Sequence, residues 1–241
     1  MKTIGSWVLF ALLAVATVQT FRVPNAPAFQ DPELARMIFF HLPCAILATV
    51  FLFTGSYHAF KFLKARDPVW DVRSLAANEI GLLLSVLTMI TGILFSKVQW
   101  GAWWQWDPRQ TSFLMVLLLY SAYFALRGAL SDPDRRSAHS AAYAVAMVLP
   151  TMFLIFVFPR LPQVQSFHPS NTVVSGGFDR NYGQLIIALI AMVGVITVWL
   201  YRLRVRAGLL LLEVESDGQL DARGAAAGVG VVRPVSVPPQ D

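Results

Sequence analysis

The sequence contains little charge. Asp, Glu, Lys and Arg together make up 14% of the 241 residues, against 56% hydrophobic residues, whereas about a quarter of the residues in a soluble domain are charged. This composition excludes an ordinary soluble domain and favours an integral membrane protein. In such a chain the net charge of +5 does not by itself indicate nucleic-acid binding, and we expect no nucleic-acid partner.

Cysteine is almost absent, with Cys44 as the single example. One thiol excludes an internal disulfide, a CxxC redox pair and a cysteine-based metal or haem attachment site. Cys44 lies in an apolar run, where we expect a small packing residue. The sequence also lacks a GxxxxGK(S/T) phosphate-binding loop, so any ATP hydrolysis coupled to this chain must come from a partner.

Long apolar runs are what the sequence has in abundance. Six of them approach or exceed the roughly 20 residues that a helix needs to cross a bilayer. They predict an all-α integral membrane protein with six transmembrane helices in one domain, residues 1–206. The predicted spans are Ile4–Phe21, Met37–Phe60, Ala76–Ser96, Thr111–Leu130, Ser140–Leu161 and Gly183–Leu203.

Lys and Arg placement predicts the orientation of these spans. With the N-terminus inside, the inner segments hold thirteen Lys and Arg and the outer loops hold six, so the positive-inside rule places both termini in the cytoplasm. The first span could be a cleaved signal peptide, but without a convincing cleavage site we expect it to be retained. Residues 207–241 are expected to form a cytoplasmic tail that is largely disordered.

The stretch "WGAWWQWDPRQTS", Trp100 to Ser112, lies in the outer loop between the third and fourth predicted spans. Trp100, Trp103, Trp104 and Asp107 follow the i, i+3, i+4, i+7 spacing of one helical face. This spacing predicts a short Trp-rich helix on the extracytoplasmic surface. Asp107 before Pro108 also indicates the N-cap of the fourth span. The indoles could form an interfacial aromatic belt or a platform for a flat apolar ligand.

Two of the four histidines are predicted near the same outer surface. His41 lies about one turn inside the second span, two residues before Pro43, and His168 lies in the third outer loop. An ionisable residue at membrane depth indicates a functional site, and imidazole is a common ligand of haem iron. His58 and His139 are predicted at the inner surface, where a solvated or interfacial role is expected. The outer cations available for haem propionates are Arg36, Arg109, Arg160 and Arg180.

The Trp-rich stretch resembles the WWD signature, WGxWWxWDxRLT, of haem-handling proteins in cytochrome c biogenesis, here as a motif within residues 97–112. The length, the six predicted spans and "RMIFFHLPCA" resemble the cytochrome c maturation protein C (CcmC) family up to about Arg206. The resemblance implies that His41 and His168 are axial ligands of haem iron. It also implies a haem platform of Trp100, Trp103, Trp104, Trp106 and Asp107, with Arg36 and Arg109 as propionate or positioning contacts. Gln110 stands where the family has Leu, and Pro169 follows His168 where Gln is usual.

The resemblance further implies a function without enzymatic activity. The chain would bind haem b transiently at the extracytoplasmic face of the bacterial inner membrane and deliver it to the haem chaperone CcmE. The CcmA ATPase, the membrane subunit CcmB and the small CcmD would complete the complex.

Three other functions are compatible with the residues. One is a b-type cytochrome for electron transfer, and another is a WWD-type cytochrome c synthase component. The third is a scaffold subunit whose tryptophans are only an aromatic belt. A second histidine pair in the inner leaflet would favour either of the first two.

Overall fold

The computed structural model describes residues 3–26, 29–168 and 180–226. In these ranges the regular structure is entirely helical. A 3₁₀ turn, Leu34–Met37, leads into the second helix, and a π-helical turn, Phe153–Val157, and a 3₁₀ turn, Phe158–Arg160, follow the sixth. The α-helices are α1 (Thr3–Thr20), α2 (Ile38–Ala65), α3 (Pro68–Trp100), α4 (Pro108–Ala129), α5 (Pro133–Ala146), α6 (Val148–Met152) and α7 (Arg180–Ala226).

Three of the helices begin with the same Asp-Pro pair. The side chains of Asp67, Asp107 and Asp132 each accept a hydrogen bond from a backbone N–H in the first turn of α3, α4 and α5. Proline follows each of them, at the helical position that needs no backbone donor. The predicted N-cap at Asp107 is confirmed.

Within the described residues, five helical stretches are long and apolar enough to cross a membrane. They are Leu34–Ala65, Pro68–Trp100, Pro108–Ala129, Pro133–Arg160 and Arg180–Gly218. The first predicted span corresponds to a shorter apolar helix, Gly5–Thr20. The integral membrane class therefore agrees with the structure, whereas the sixth span remains a prediction.

Close packing of α2 against α3 forms the centre of the bundle. A Cβ added to Gly81 would come within 2.5 Å of the Leu52 side chain, and one added to Gly55 would overlap the side chain of Asn78. Glycine lets the two helices approach at these levels. The buried tyrosines Tyr120 and Tyr123 of α4 extend this core towards α5, and α7 packs on α1, α2 and α3.

The two ends of the bundle are held by different contacts. At the end that carries the WWD motif, Gln99 of α3 exchanges hydrogen bonds with the backbone of Asp31. At the opposite end, Arg127 of α4 forms an ion pair with Asp71 of α3 at 2.6 Å, and Ser137 donates to the same carboxylate. The WWD end is the one predicted to face outward, and this orientation stays a prediction.

The WWD segment differs from its prediction, because residues 101–107 are not helical. Gly101 ends α3 in a left-handed conformation with φ of 81°, and Trp106 also has a positive φ of 53°. Both values are incompatible with a continued right-handed helix. The prediction of a short surface helix is wrong, and Trp100, Trp103, Trp104 and Asp107 do not share one helical face.

The last helix crosses the predicted boundary at residue 206. α7 continues through Arg206 to Ala226, and the division of the chain into a membrane domain and a cytoplasmic tail stays a prediction. The run of Leu209 to Glu213 consists of strong helix formers, which favours this continuation. The rest of the predicted tail, residues 227–241, lies outside the described residues.

Candidate functional site: a cavity at the WWD end

A cavity of about 460 Å³ lies at the WWD end of the bundle. Residues of α2, α3, α4 and the Phe153–Arg160 turns form its walls together with Phe29, Asp107 and His168, and most of them are apolar. Two histidines, His41 and His168, line the cavity, together with Trp100, Arg109 and Arg160. The structure therefore brings both predicted ligand histidines to one cavity, although they come from distant parts of the chain.

His41 projects from the first turn of α2 towards α3. Its Nδ1 lies 3.0 Å from Oγ1 of Thr91. The Thr91 hydroxyl has a single proton and lies 2.8 Å from the Leu87 carbonyl oxygen, to which it donates. We therefore assign the proton between the two side chains to Nδ1 of His41, which leaves the lone pair on Nε2 available for a metal.

Gly92, one residue after Thr91, makes room for the His41 ring. A Cβ at this position would lie 3.2 Å from Cε1 of the imidazole. Pro43, two residues after His41, is buried within α2, and the missing backbone N–H loosens the helix next to the histidine.

His168 lies at the end of a non-helical strap, residues 161–168, that follows the Phe158–Arg160 turn. The strap is bound to the WWD segment through the buried carboxylate of Asp107. Ser166 Oγ donates to this carboxylate at 2.8 Å and the Phe167 backbone N–H donates at 2.7 Å. The ring of His168 contacts the indole of Trp100, with 6.4 Å between the ring centroids.

The tryptophans of the motif do not form one surface. Trp100 lines the cavity, whereas Trp103, Trp104 and Trp106 are not among the residues that line it. Trp106 is 75% exposed and meets Trp104 edge-on, while Lys97 lies over the ring of Trp103. In this conformation the predicted platform is represented at the cavity by Trp100 and Asp107.

Gln110, the residue that departs from the family signature, holds the WWD loop in place. Its amide oxygen accepts from the Gln105 backbone N–H, and its amide nitrogen donates to the Trp103 carbonyl oxygen, both at 3.2 Å. The Gln105 side chain in turn donates to the Trp100 carbonyl at 2.8 Å. A leucine at position 110 could make neither of the first two hydrogen bonds.

The arginines divide into two groups. Arg109 and Arg160 line the cavity. Arg36, in contrast, donates to the backbone carbonyls of Thr20 and Val23 and to the side chain of Asn25. Arg36 thus binds the end of α1 and the following residues to the start of α2 and is not among the residues lining the cavity. Arg180 is exposed at the start of α7.

The other two histidines lie at the opposite end of the bundle. Nε2 of His58 is 3.1 Å from the Tyr201 hydroxyl, and its ring stacks against those of Tyr201 and Trp70. Nδ1 of His139 is 2.8 Å from the Arg135 carbonyl oxygen and donates to it. Each of these two histidines therefore has a hydrogen-bond contact of its own, His58 with Tyr201 and His139 with Arg135.

Sequence patterns do not single out Thr91 or Ser166, and each acts on a histidine through a hydrogen bond. The only sequence signal for Thr91 was that it is a polar residue within an apolar span. Ser166 stands two residues before His168 in a polar loop and gives no such signal. Its role depends on contact with Asp107, which is 59 residues away in the chain.

Known proteins resemble this chain over different shares of its length. The family model for heme exporter protein C (CcmC) matches residues 1–217. The chain is 29% identical to heme exporter protein C of Rhodobacter capsulatus over 177 residues, 71% of each chain. Identity to the Paracoccus denitrificans protein of that name is 35% over 106 residues, 44% of each chain. For the Escherichia coli K12 protein it is 32% over 144 residues, 59% of this chain and 58% of that one.

These pairwise matches extend over unequal parts of the relatives, and the match spans less than half of the Paracoccus protein. The family match, in contrast, covers α1 to α6, the residues that line the cavity and most of α7. The chain belongs to the heme exporter protein C family of cytochrome c biogenesis.

Proposed function

We propose that the cavity binds haem b, with His41 and His168 as axial ligands of the iron, and that the chain passes this haem to a partner. The main observation in support of the proposal is that both histidines line the same cavity. His41 comes from a membrane-embedded helix and His168 from the strap, and Trp100, Arg109 and Arg160 surround them. Haem is the cargo of this site and is held only until handover.

The residues present fit the chemistry of the cargo. A volume of about 460 Å³ lies within the range of about 300–1,000 Å³ that small-molecule and cofactor sites occupy. Apolar walls suit the macrocycle, and the Trp100 indole offers a flat face to it. Nε2 of His41 holds the lone pair that an iron requires.

Two cations suit the two propionates of haem. Arg109 and Arg160 are the arginines that line the cavity, and guanidinium groups bind carboxylates through charge-assisted hydrogen bonds. Arg160 also donates from one nitrogen to the carbonyls of Ile155 and Phe156, at 3.0 Å each, which fixes its position at the end of the π-helical turn. We therefore assign the propionates to Arg109 and Arg160 and not to Arg36.

The strap provides a physical route for handover. His41 is fixed by a membrane-embedded helix and by Thr91, whereas His168 is held by a segment without helical hydrogen bonds of its own. Release of His168 exposes one face of the haem while His41 retains the other. We propose that the recipient is the chaperone CcmE at the extracytoplasmic face of the inner membrane.

The energy for the cycle must come from outside the chain. We propose that CcmA, CcmB and CcmD form the complex in which this chain works, and that CcmA hydrolyses ATP, because the sequence lacks the phosphate-binding loop. The excess of Lys and Arg in the inner segments supports the further proposal that both termini face the cytoplasm.

The visible spectrum of the membrane-purified protein tests the proposal. We expect bound haem with the spectrum of a six-coordinate, bis-histidine iron, and loss of this spectrum in His41→Ala and His168→Ala. His58→Ala and His139→Ala are the matched controls, because their side chains lie at the opposite end. An unchanged spectrum in His41→Ala would overturn the assignment, and a redox titration with two b-type haems would favour a cytochrome.

A further inference from the structure

Asp107 makes more contacts than the cap of a helix requires. Oδ1 accepts from the Arg109 backbone N–H at 2.9 Å and from Ser166 Oγ at 3.0 Å. Oδ2 accepts from Ser166 Oγ at 2.8 Å and from the Phe167 backbone N–H at 2.7 Å. The residue is only 4% exposed. One buried carboxylate therefore joins the start of α4 to the strap that carries His168.

The chain provides an internal comparison for this arrangement. Asp67 and Asp132 cap α3 and α5 within the same Asp-Pro sequence, through single bonds from Val69 N–H and Arg135 N–H. Both of these aspartates are exposed. Capping therefore needs neither burial nor a second oxygen. What distinguishes Asp107 from the other two is its contact with Ser166 and Phe167.

The contacts continue from Asp107 to the histidine. The His168 backbone N–H donates to Ser166 Oγ at 3.1 Å, so the serine hydroxyl bonds the carboxylate on one side and the histidine backbone on the other. The Phe167 ring lies 6.0 Å from the Trp100 ring, centroid to centroid, and the His168 ring lies 6.4 Å from it. These contacts fix both the backbone and the side chain at the cavity.

We propose that Asp107 is the positioning residue of His168 and that its carboxylate holds the strap instead of contacting haem. Asp107 is among the residues that line the cavity, but its two oxygens already accept from the Arg109 and Phe167 backbone N–H groups and from Ser166 Oγ. A carboxylate would in addition repel the propionates. The WWD motif then has two separate roles, since Trp100 contributes to the cavity wall and Asp107 places the second histidine. The role towards iron rests on the function proposed above.

Hydrogen exchange in the haem-free, full-length protein in its membrane complex tests the anchor without reference to haem. Asp107→Asn keeps the size of the side chain but removes the charge that accepts from the Phe167 N–H. We expect the Phe167 and His168 amides to exchange at least about ten-fold faster, since the strap opens more easily once it has lost its charge-assisted hydrogen bond. The matched control Asp132→Asn removes only a cap and should leave these amides unchanged.

Ser166→Ala provides a second variant in case Asp107→Asn does not fold. It removes the hydroxyl between Asp107 and the His168 backbone but leaves the cap on the Arg109 N–H. We expect faster exchange of the His168 amide in this variant as well. Equal exchange in wild type, Asp107→Asn and Ser166→Ala would overturn the proposal.

A double-mutant cycle on haem affinity separates positioning from contact. If Asp107 acts through His168, Asp107→Asn weakens haem binding about ten-fold, as loss of an orienting partner does at other metal sites, and has no further effect in a His168→Ala background. The same loss in both backgrounds would show that Asp107 contacts haem and would overturn the proposal. If His168→Ala alone leaves haem binding intact, the axial assignment fails, whereas the exchange experiment still decides whether Asp107 holds the strap.

Discussion

Nδ1 of His41 and the hydroxyl of Thr91 lie 3.0 Å apart, and this contact joins α2 to α3 beside the cavity. The hydrogen bond fixes the tautomer in which Nε2 can bind iron. We expect Thr91→Val, which keeps the shape of the side chain, to weaken haem affinity about ten-fold. Haem titration followed by absorption measures the change, and Thr54→Val, which removes a hydroxyl from α2 that bonds only its own helix, is the control. Equal affinities in the two variants would contradict the tautomer assignment.

Haem binding is expected to be sensitive to an added side chain at Gly92. A Cβ 3.2 Å from Cε1 forces the His41 ring to move by a few tenths of an ångström, which misaligns Nε2 with the iron. Gly92→Ala should therefore weaken haem binding several-fold although alanine favours the helix. Gly128→Ala is the control, because nothing lies within 4 Å of the added Cβ, and we expect it to leave haem binding unchanged. Haem titration of the two variants measures the difference.

Arg109 and Arg160 are expected to bind the propionates of haem. Each charge-assisted hydrogen bond contributes about 1.5–3 kcal/mol, so Arg109→Gln or Arg160→Gln should weaken haem binding about ten-fold to a hundred-fold. Haem dimethyl ester, in which both carboxylates are blocked, separates charge from shape. The variants and the wild type should bind this ester with similar affinity. A loss that persists with the ester would show that the arginines act on the fold.

Arg36 is expected to affect stability and not haem affinity. Its guanidinium donates to Thr20, Val23 and Asn25, so Arg36→Gln should loosen the end of α1 from the start of α2. Limited proteolysis after Thr20 should become faster, and the haem titration should stay as in wild type. A ten-fold loss of affinity with unchanged proteolysis would instead restore Arg36 as a haem contact.

The ion pair between Asp71 and Arg127 should be important for folding at the end opposite the cavity. Both side chains are nearly buried, at 10% and 13% exposure, and removing one partner of a buried pair destabilises a protein by about 3–5 kcal/mol. We expect Asp71→Asn to unfold at a clearly lower denaturant concentration in detergent. Glu79→Gln breaks the ion pair with Arg204, in which the two side chains are 32% and 37% exposed. This change should alter the free energy of unfolding by about 1 kcal/mol or less. Similar midpoints for the two variants would contradict this difference.

Apolar run length was sufficient to predict the helical membrane class. Cap chemistry located the start of α4, because Asp107 before Pro108 carries its signal locally. Local signals were misleading in the WWD loop, where i, i+3, i+4, i+7 spacing suggested a helix. The spacing arises because Trp100 ends α3 and Asp107 caps α4. The left-handed conformations of Gly101 and Trp106 between them do not change the spacing of residues in the sequence, so the pattern could not reveal them.

The candidate site could be predicted only in part. Its two histidines follow from their positions in the chain, since His41 lies at the start of a span and His168 in a loop at the same end of the bundle. Their role as ligands stays a prediction. Which arginine faces the cavity could not be predicted, because Arg36 and Arg160 both lie near the ends of apolar runs. The choice depends on the carbonyl groups that tertiary packing places around Arg36.

The length of α7 has a mechanical consequence. Its 47 residues extend about 70 Å at 1.5 Å per residue, more than twice the roughly 30 Å thickness of the hydrocarbon layer, and the described helix contains no proline. A helix of this length cannot lie wholly within the hydrocarbon layer, so one end of α7 extends beyond it. Near the other end of the same helix, Tyr182 donates to the Ala35 carbonyl and its ring contacts Phe39, two residues before His41. A subunit that tilted the extending end of α7 would move the residues beside His41, the histidine proposed to bind iron.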